Sequence, residues 1–306
     1  MDCVVGMRNV HSHTSRNCGE VCCLCLSYTF PFILFLIIVS STVGFDAYFI
    51  TLCLRYNRDW RTAVSVLFMV VGTAGVAMLM WAFIGVLTTA AGYVPSLPWK
   101  YPPTYVGEMA GFRPPTQPNS EGFNPYCVTQ LDRTKRLRYC VPCGQYKPDN
   151  AYHCNFCSRC TYQFDHHCPA VNNCIGRENY KIFVTFLIYT GLVSFLNTVL
   201  MLIGLLVLDS GERFVLWFGL PLFMALLGSS VFFFGMLHVC WSYRGESTMS
   251  RHVALFNREE AMAQDRQQAD EKRRAHWDAV LGTDRRWWRM LLPMRARWLN
   301  TEALVW

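Results

Sequence analysis

The chain has 306 residues, of which 52% are hydrophobic and 16% charged, and its mean hydropathy is positive. That balance excludes an ordinary soluble fold with a charged surface and points to a membrane protein with a modest soluble part. A net charge of +7, from 28 basic and 21 acidic residues, reflects loop topology and anionic lipid headgroups in such a chain and carries no claim for nucleic acid.

Residues 1–26 are polar and then cysteine-rich, without the apolar core and small-residue cleavage site of a secretory signal. Cys18, Cys22, Cys23 and Cys25 stand just before the first apolar run. Juxtamembrane cysteines are candidates for S-acylation; free thiols in a tail and a third metal site are the alternatives. Four apolar runs follow, within Tyr28–Leu54, Thr62–Ala91, Ile182–Leu208 and Phe214–Trp241. Each is long enough to cross a hydrocarbon core of about 30 Å, which takes about 20 helical residues. Short connections around Arg55–Arg61 and Asp209–Arg213 make two hairpins. They place the N-terminus, the central loop and the C-terminus on one side of the membrane.

The Lys/Arg count chooses the side. The central loop Gly92–Asn179 holds nine basic residues and the tail from Ser242 holds twelve, against one in the second hairpin and three (Arg55, Arg58, Arg61) in the first. The central loop and both termini are therefore expected in the cytosol, with the three arginines opposing that assignment. Asp46 is the one acid in the apolar runs. It reads either as a functional intramembrane carboxylate or as a residue near the far interface. Asn197 and His238 are expected to be satisfied by hydrogen bonds between helices.

Gly92–Pro125 holds eight of the 14 prolines and cannot be a long helix; an irregular connector with short extended pieces is expected. After the fourth run, Arg251–Arg274 is charged and reads as helical. Beyond it come Trp277, Trp287, Trp288, Trp298 and Trp306 with Arg285, Arg286, Arg289, Arg295 and Arg297. Trp beside Arg suits a membrane interface; packing of the tail on the soluble domain is the other reading.

The most informative stretch is Cys140–Cys174, CVPCGQYKPDNAYHCNFCSRCTYQFDHHCPAVNNC, with seven of the 15 cysteines and three of the eight histidines. Tetrahedral zinc takes four thiolate or imidazole donors, so two ions use eight. One His and one Cys are left over, and Asp165-His166-His167-Cys168 places them side by side. A spare thiol beside an imidazole and a carboxylate is what nucleophilic catalysis by a thiolate requires. Spacing gives the donor total, but neither how the donors pair nor which of His166 and His167 is the ligand. A secreted disulfide framework would need the cysteines on the oxidising side, so reduced thiols holding metal are expected.

The spacing Cys140-x2-Cys143-x9-His153-Cys154-x2-Cys157-x2-Cys160-x4-Asp165-His166-His167-Cys168-x5-Cys174-x4-Asn179-x3-Phe183 resembles the cysteine-rich domain of the DHHC-type protein S-acyltransferases, the palmitoyltransferases. The resemblance implies an all-α membrane fold: four transmembrane helices with a cytosolic, zinc-stabilised domain between the second and third spans. It divides the chain into a tail (1–26), the first span pair (27–91), a connector (92–139), the zinc domain (140–181), the second span pair (182–241) and a C-terminal tail (242–306). It also implies two structural zinc sites, Cys140, Cys143, His153 and Cys160 in one, and Cys154, Cys157, His167 and Cys174 in the other. Cys168 becomes the nucleophile, His166 its base and Asp165 the group that orients the imidazole.

Palmitoyl-CoA, or another long-chain acyl-CoA, is then the co-substrate, and membrane-associated proteins with accessible cysteines are the acceptors. The residence is an endomembrane, Golgi or endoplasmic reticulum among them, or the plasma membrane. Arg133, Lys135, Arg136, Arg138 and Lys147 are candidates for the CoA phosphates, with attraction to anionic lipid as the alternative. An acyl chain needs an apolar home, and Gly191, Val193 and Ser194 with Ser40, Ser41 and Gly44 read either as its cavity or as close helix packing. Four departures from the family pattern stand out. Ala170 replaces the usual Trp, Ser247-Thr248-Met249-Ser250 stands where Thr-Thr-x-Glu is usual, and Ala90-Ala91 replaces the Asp-Pro before Gly92. His276 occupies an Asn position of the C-terminal motif His276–Gly282. The rival reading is a non-catalytic, RING-like zinc module on a membrane anchor. It has no need of a ninth cysteine.

Overall fold

The computed structural model describes residues 27–106, 122, 124–209, 217–249, 266–284 and 286–297. The N-terminal cysteines, most of Arg251–Arg274, Arg285, Trp298 and Trp306 lie outside the described residues. Among the described residues, four helices are long and apolar enough to cross a membrane: α1 (Thr29–Arg55), α2 (Trp60–Thr88), α3 (Tyr180–Ile203, continued by a π-helical turn Gly204–Leu208) and α4 (Gly219–Tyr243). Their spans run 25 to 29 residues, about 40 Å at 1.5 Å per residue, enough for the hydrocarbon core with a turn to spare. Backbone polar groups are satisfied within such helices, the condition for spanning lipid. The architecture is that of a multi-pass membrane protein.

The chain divides into two compact units. The helical unit comprises residues 29–86 and 182–239. A buried cluster joins Phe45, Tyr48, Phe49 and Leu52 of α1 to Leu200, Met201, Leu205 and Leu208 and to Met224 of α4. Small residues sit where helices come closest. A Cβ on Gly72 would fall 2.6 Å from the Phe45 ring and 2.7 Å from Asn197 Oδ1, and one on Gly191 2.3 Å from Phe232. This divides the small residues named above by role. Gly191 and Gly44 are packing positions, Gly44 lying against Leu220, and Ser40 is exposed with its hydroxyl returned to the Ile37 carbonyl. Ser41, Val193 and Ser194 line a cavity of about 60 Å³ together with Leu34, Val76 and Asn197.

Asn197 departs from the sequence expectation: its Oδ1 is buried with no hydrogen-bond partner among the described residues. His238 is met edge-on by the Phe183 and Phe234 rings, 5.3 and 4.7 Å away. Asp46 accepts a 3.1 Å hydrogen bond from Thr73 Oγ1.

The first hairpin's arginines have structural work. Arg55 Nη1 lies 3.0 Å from Oδ1 of fully buried Asp209. Arg61 Nη1 donates to the Leu208 carbonyl at 3.0 Å, capping one of the acceptors a helix C-terminus leaves open. Two of the three cations that opposed the charge bias are thereby matched within the bundle.

The second unit comprises the described residues within 27–28, 87–181 and 240–297. Among the described residues it holds four two-stranded sheets. β1 (Thr104–Tyr105) pairs in parallel with β2 (Cys127–Val128), and three hairpins follow: β3 (Tyr139–Cys140) with β4 (Gln145–Tyr146), β5 (Tyr152–Cys154) with β6 (Arg159–Thr161), and β7 (His166–Cys168) with β8 (Asn173–Ile175). The described part of the proline-rich connector belongs to this core. Val94 and Trp99 are buried with Val128, Cys140, Ala151 and Cys160. Trp99 stacks on Tyr126 at 5.4 Å and 7° and donates its Nε1–H to Tyr162 Oη at 2.8 Å. In the tail, α5 (Arg266–Leu281) precedes a short α6 (Trp287–Leu291). Trp277 Nε1 donates to the Ser242 carbonyl.

Candidate active site

Three short hairpins can place ten donors because neighbours in a strand face opposite ways and cross-strand partners face the same way. His153 lies directly opposite Cys160, and His167 opposite Cys174. Cys154, one residue after His153, points the other way. The donors sort into two quartets: Cys140, Cys143, His153 and Cys160, and Cys154, Cys157, His167 and Cys174, each with its ligand atoms within 4.8 Å of one another. Interleaving follows from the alternation at His153-Cys154.

Either quartet could hold a metal ion. Zn–S bonds of about 2.3 Å and Zn–N bonds of about 2.0–2.1 Å in a tetrahedron set ligand atoms about 3.6–3.8 Å apart. Cys140 and Cys143 Sγ stand 3.5 and 3.2 Å from His153 Nδ1, and Cys157 and Cys174 Sγ stand 3.5 and 3.7 Å from His167 Nδ1. All eight donor residues are buried or half-buried, and three thiolates with one imidazole fit zinc. The Phe156 ring stacks on His167 at 4.8 Å and 18°. Tyr93 donates its hydroxyl to Cys157, and burial and then the thiolates of Cys157 and Cys174 push its phenol well up.

His166 and Cys168 are two apart in β7 and share the face away from His167. His166 Nδ1 lies 2.8 Å from Asp165 Oδ2, which leaves Nε2 for the Cys168 thiol, with which the imidazole is hydrogen-bonded. Asp165 is buried, and its carboxylate accepts from Thr248 N at 2.7 Å and Thr248 Oγ1 at 2.8 Å. The 3₁₀ turn Pro169–Val171 follows at once, and the N–H groups of Ala170 and Val171 point to the Cys168 sulfur. Burial raises the Cys168 thiol, but the hydrogen bond and charge of His166, then those two N–H groups, outweigh it and hold the thiol below its ordinary value. Burial likewise opposes a charged His166, yet the hydrogen bonds and negative charge of Asp165 and Cys168 prevail and raise the imidazole to about 9. Both shifts run the same way, favouring charge on the sulfur and on the imidazole. An open groove of about 490 Å³ runs alongside, lined by Asn155, Phe156, Asp165, His166, Trp241 and Met249 among others.

The basic candidates divide. Arg133, Lys135 and Arg136 are exposed on a turn that Asp132 closes by accepting the N–H groups of Thr134 and Arg136. Lys147 is half-buried. Arg138 is held within the fold: its guanidinium donates to Gln130 Oε1 and the Pro148 and Ala151 carbonyls and lies over the Tyr152 ring at 4.7 Å. Those contacts occupy the group a phosphate would need.

Two supports were not evident from sequence. Thr248 survives from the departed Thr-Thr-x-Glu stretch, and the retained Thr is the signal that could have found it. Asn173 and Asn179 both donate Nδ2–H to the Thr89 carbonyl, at 2.8 and 3.2 Å. Asn179 also accepts from Gly176 N and donates to the Cys174 carbonyl. A Cβ on Gly176 would lie 2.8 Å from the Ala91 carbonyl and 2.9 Å from that of Tyr162, so only glycine fits there.

A cysteine hydrogen-bonded to an Asp-held histidine, beside two quartets that could hold metal and between two pairs of apolar helices in the sequence, marks the class of multi-pass membrane proteins with a cysteine-rich domain. The family described as DHHC palmitoyltransferase matches residues 133–254. "Probable protein S-acyltransferase 14" of Arabidopsis thaliana is 31% identical over 227 residues, 71% of this chain and 68% of that protein. "Palmitoyltransferase spe-10" of Caenorhabditis elegans is 32% identical over 169 residues, 48% of this chain and 47% of that protein. "Palmitoyltransferase ZDHHC2" of Mus musculus is 52% identical over 54 residues, 18% of this chain and 15% of that protein. The chain belongs to the DHHC palmitoyltransferase family. It spans about half the length of the Caenorhabditis relative and about two thirds of the Arabidopsis one.

Proposed function

We propose that this protein is a protein S-palmitoyltransferase that carries a long-chain acyl group from acyl-CoA, through a thioester on Cys168, to cysteines of membrane-associated proteins. The observation that carries this reading is the placement of Cys168 and His166 on the face of β7 opposite the quartet residue His167, with Asp165 fixing the imidazole.

In the first half-reaction the Cys168 thiolate attacks the thioester carbonyl, the C–S bond to CoA breaks, and the departing CoA thiolate takes the proton held at His166 Nε2. In the second half, His166 accepts the proton of an acceptor thiol, that sulfur attacks the acyl-Cys168 carbonyl, and the Cys168 thiolate is released. One thioester replaces another at each step, so no oxidant, reductant or hydrolysis is needed. Asp165 acts as the acid does in other triads, holding the tautomer and stabilising the imidazolium. Thr248 positions Asp165. The groove beside His166 supports an approach for the acceptor.

When bound, zinc in the two quartets would supply folding free energy to a domain whose strands are only two or three residues long. We assign Cys140, Cys143, His153 and Cys160 to one ion and Cys154, Cys157, His167 and Cys174 to the other. Arg133, Lys135, Arg136 and Lys147 remain the proposed cations for the CoA phosphates, and the bundle cavity at Ser41, Val193 and Ser194 the proposed seat of the acyl chain. The basic central loop and tail support a cytosolic zinc domain and termini in an endomembrane or the plasma membrane. A RING-like recruiting module leaves the Asp165–His166–Cys168 arrangement without a purpose.

The test is incubation of the purified protein with labelled palmitoyl-CoA, with Cys168→Ser alongside. Hydroxylamine-sensitive label on the wild type that is absent from the variant is expected. Label that survives the substitution, or none on folded protein, overturns the reading.

A further inference from the structure

The tail holds a second feature, independent of the acyl-transfer reading. Helix α6 is one turn long, yet it exposes Trp287 (75%), Leu291 (56%) and Trp288 (36%). Trp287 and Leu291 are i and i+4, on one face. The loop that carries them is closed at its base. Gly282 pairs with Arg297, and the N–H groups of Thr283 and Asp284 donate to the Arg297 carbonyl at 3.0 and 3.1 Å. Gly282 has φ +80, and a Cβ there would lie 2.5 Å from that same carbonyl oxygen, so the base requires glycine. Asp284 holds Arg286 at 2.8 Å and Arg289 at 3.4 Å, and both guanidinium groups lie over the Trp288 ring, at 5.0 and 5.5 Å. Arg295 and Arg297 are exposed beside it.

Depth comes from Lys181. It is the second residue of the third span and only 4% exposed, and its ammonium donates to the carbonyls of Arg289 and Met294, which bracket Leu291. Helix α6 is therefore tied by one side chain to the first turn of a membrane-spanning helix, the level at which hydrocarbon gives way to headgroups. Trp favours that zone because its ring is apolar and its N–H is polar, and arginine meets lipid phosphate there.

We propose that the exposed face of α6 is a bilayer anchor. Trp287, Trp288 and Leu291 enter the headgroup region of the protein's own membrane, Arg295 and Arg297 meet its phospholipid phosphates, and Lys181 sets the depth.

The test uses the full chain in lipid nanodiscs whose phospholipids carry bromine, a quencher of Trp emission, either next to the ester group or at the chain end. Trp287→Phe keeps an aromatic ring and removes one of ten fluorophores, so the difference from wild type reads Trp287 alone. Expected is a component of about one tenth of the emission that ester-level bromine quenches, chain-end bromine spares and aqueous iodide does not reach. In Lys181→Met, with helix content unchanged by circular dichroism, that component passes from the bromolipid to iodide. A Trp287 component reached by iodide in the wild type overturns the proposal. So does one shielded from both quenchers, the signature of a protein partner on this face. A Lys181→Met protein that quenches as the wild type does removes the assigned role of the lysine.

Discussion

His166 and His167 are neighbours in the chain and face opposite sides of β7, one hydrogen-bonded to Asp165 at 2.8 Å and the other gathered with Cys154, Cys157 and Cys174. Two adjacent imidazoles thus sit in two different settings, and the backbone alternation of a three-residue strand separates them.

The two histidines are expected to fail differently. His167→Ala removes one donor of a quartet, so bound zinc, measured by mass spectrometry of the metal, should fall from two ions per chain to one. The domain should also become sensitive to proteolysis, since metal binding is coupled to its folding. His166→Ala should keep two ions and lose acyl-enzyme formation by about 100-fold or more, the scale of a lost general acid–base. Its Cys168 should also alkylate more slowly at neutral pH. The imidazolium holds the thiol below its ordinary value, so without it the thiolate forms only at higher pH. Equal zinc loss in both variants would contradict the division of roles.

Thr248 reaches the site only through Asp165, which it meets with both its N–H and its hydroxyl. Thr248→Ala removes the hydroxyl and leaves the N–H. Hydrogen bonds to charged groups contribute about 1.5–3 kcal/mol, so acyl-enzyme formation should slow by about 10- to 100-fold with zinc content unchanged. Thr248→Ser should restore most of the rate. A rate loss that Ser does not rescue would assign Thr248 to packing rather than to positioning.

The contrast between what could be read early and what could not follows the range of the interactions. The four spans need only local composition, and each observed helix agrees with its apolar run to within a few residues over the described residues. Cysteine and histidine spacing gave a donor count of ten, because metal ligands and nucleophiles are chemically conspicuous. The pairing of donors needed the strand register, and two- and three-residue strands leave no periodicity to detect. Arg138 looked like its neighbours Arg133 and Arg136; only the fold brings the Pro148 and Ala151 carbonyls to it. Thr248 lies 83 residues from Asp165, so nothing local marks it. Two of the three arginines of the first hairpin have partners that only the fold supplies: Asp209 for Arg55 and the Leu208 carbonyl for Arg61.

That ion pair makes a prediction of its own. Asp209 is fully buried, whereas the Arg55 side chain is 31% exposed. Arg55→Ala leaves a buried carboxylate without its cation, a change that costs about 3–5 kcal/mol when the pair is well buried and less when one partner meets solvent. The melting temperature in detergent should fall clearly for Arg55→Ala, and the double variant Arg55→Ala/Asp209→Asn should recover part of the loss. A double variant less stable than either single change would show that Asp209 is held by something other than Arg55.

The bundle cavity offers a prediction about substrate range. Of the small and medium residues named on the helices, Gly191 and Gly44 are filled against Phe232 and Leu220, whereas Val193 lines the space with Ser41 and Ser194. Val193→Phe adds a ring where the cavity holds only about 60 Å³, and a packed interior does not yield to that volume without cost. If an acyl chain occupies this space, the variant should favour shorter acyl-CoA donors. Competition between palmitoyl-CoA and myristoyl-CoA, read as the ratio of the two acyl groups on Cys168 by mass spectrometry, should move several-fold toward myristoyl. One extra or missing methylene in an apolar pocket is worth about 1–3 kcal/mol in discrimination, so a two-carbon difference gives room for a shift of that size. Gly191→Ala is the contrasting case: it strikes Phe232 rather than the cavity, so it should lower stability without changing the ratio. An unchanged ratio in Val193→Phe would place the acyl chain elsewhere.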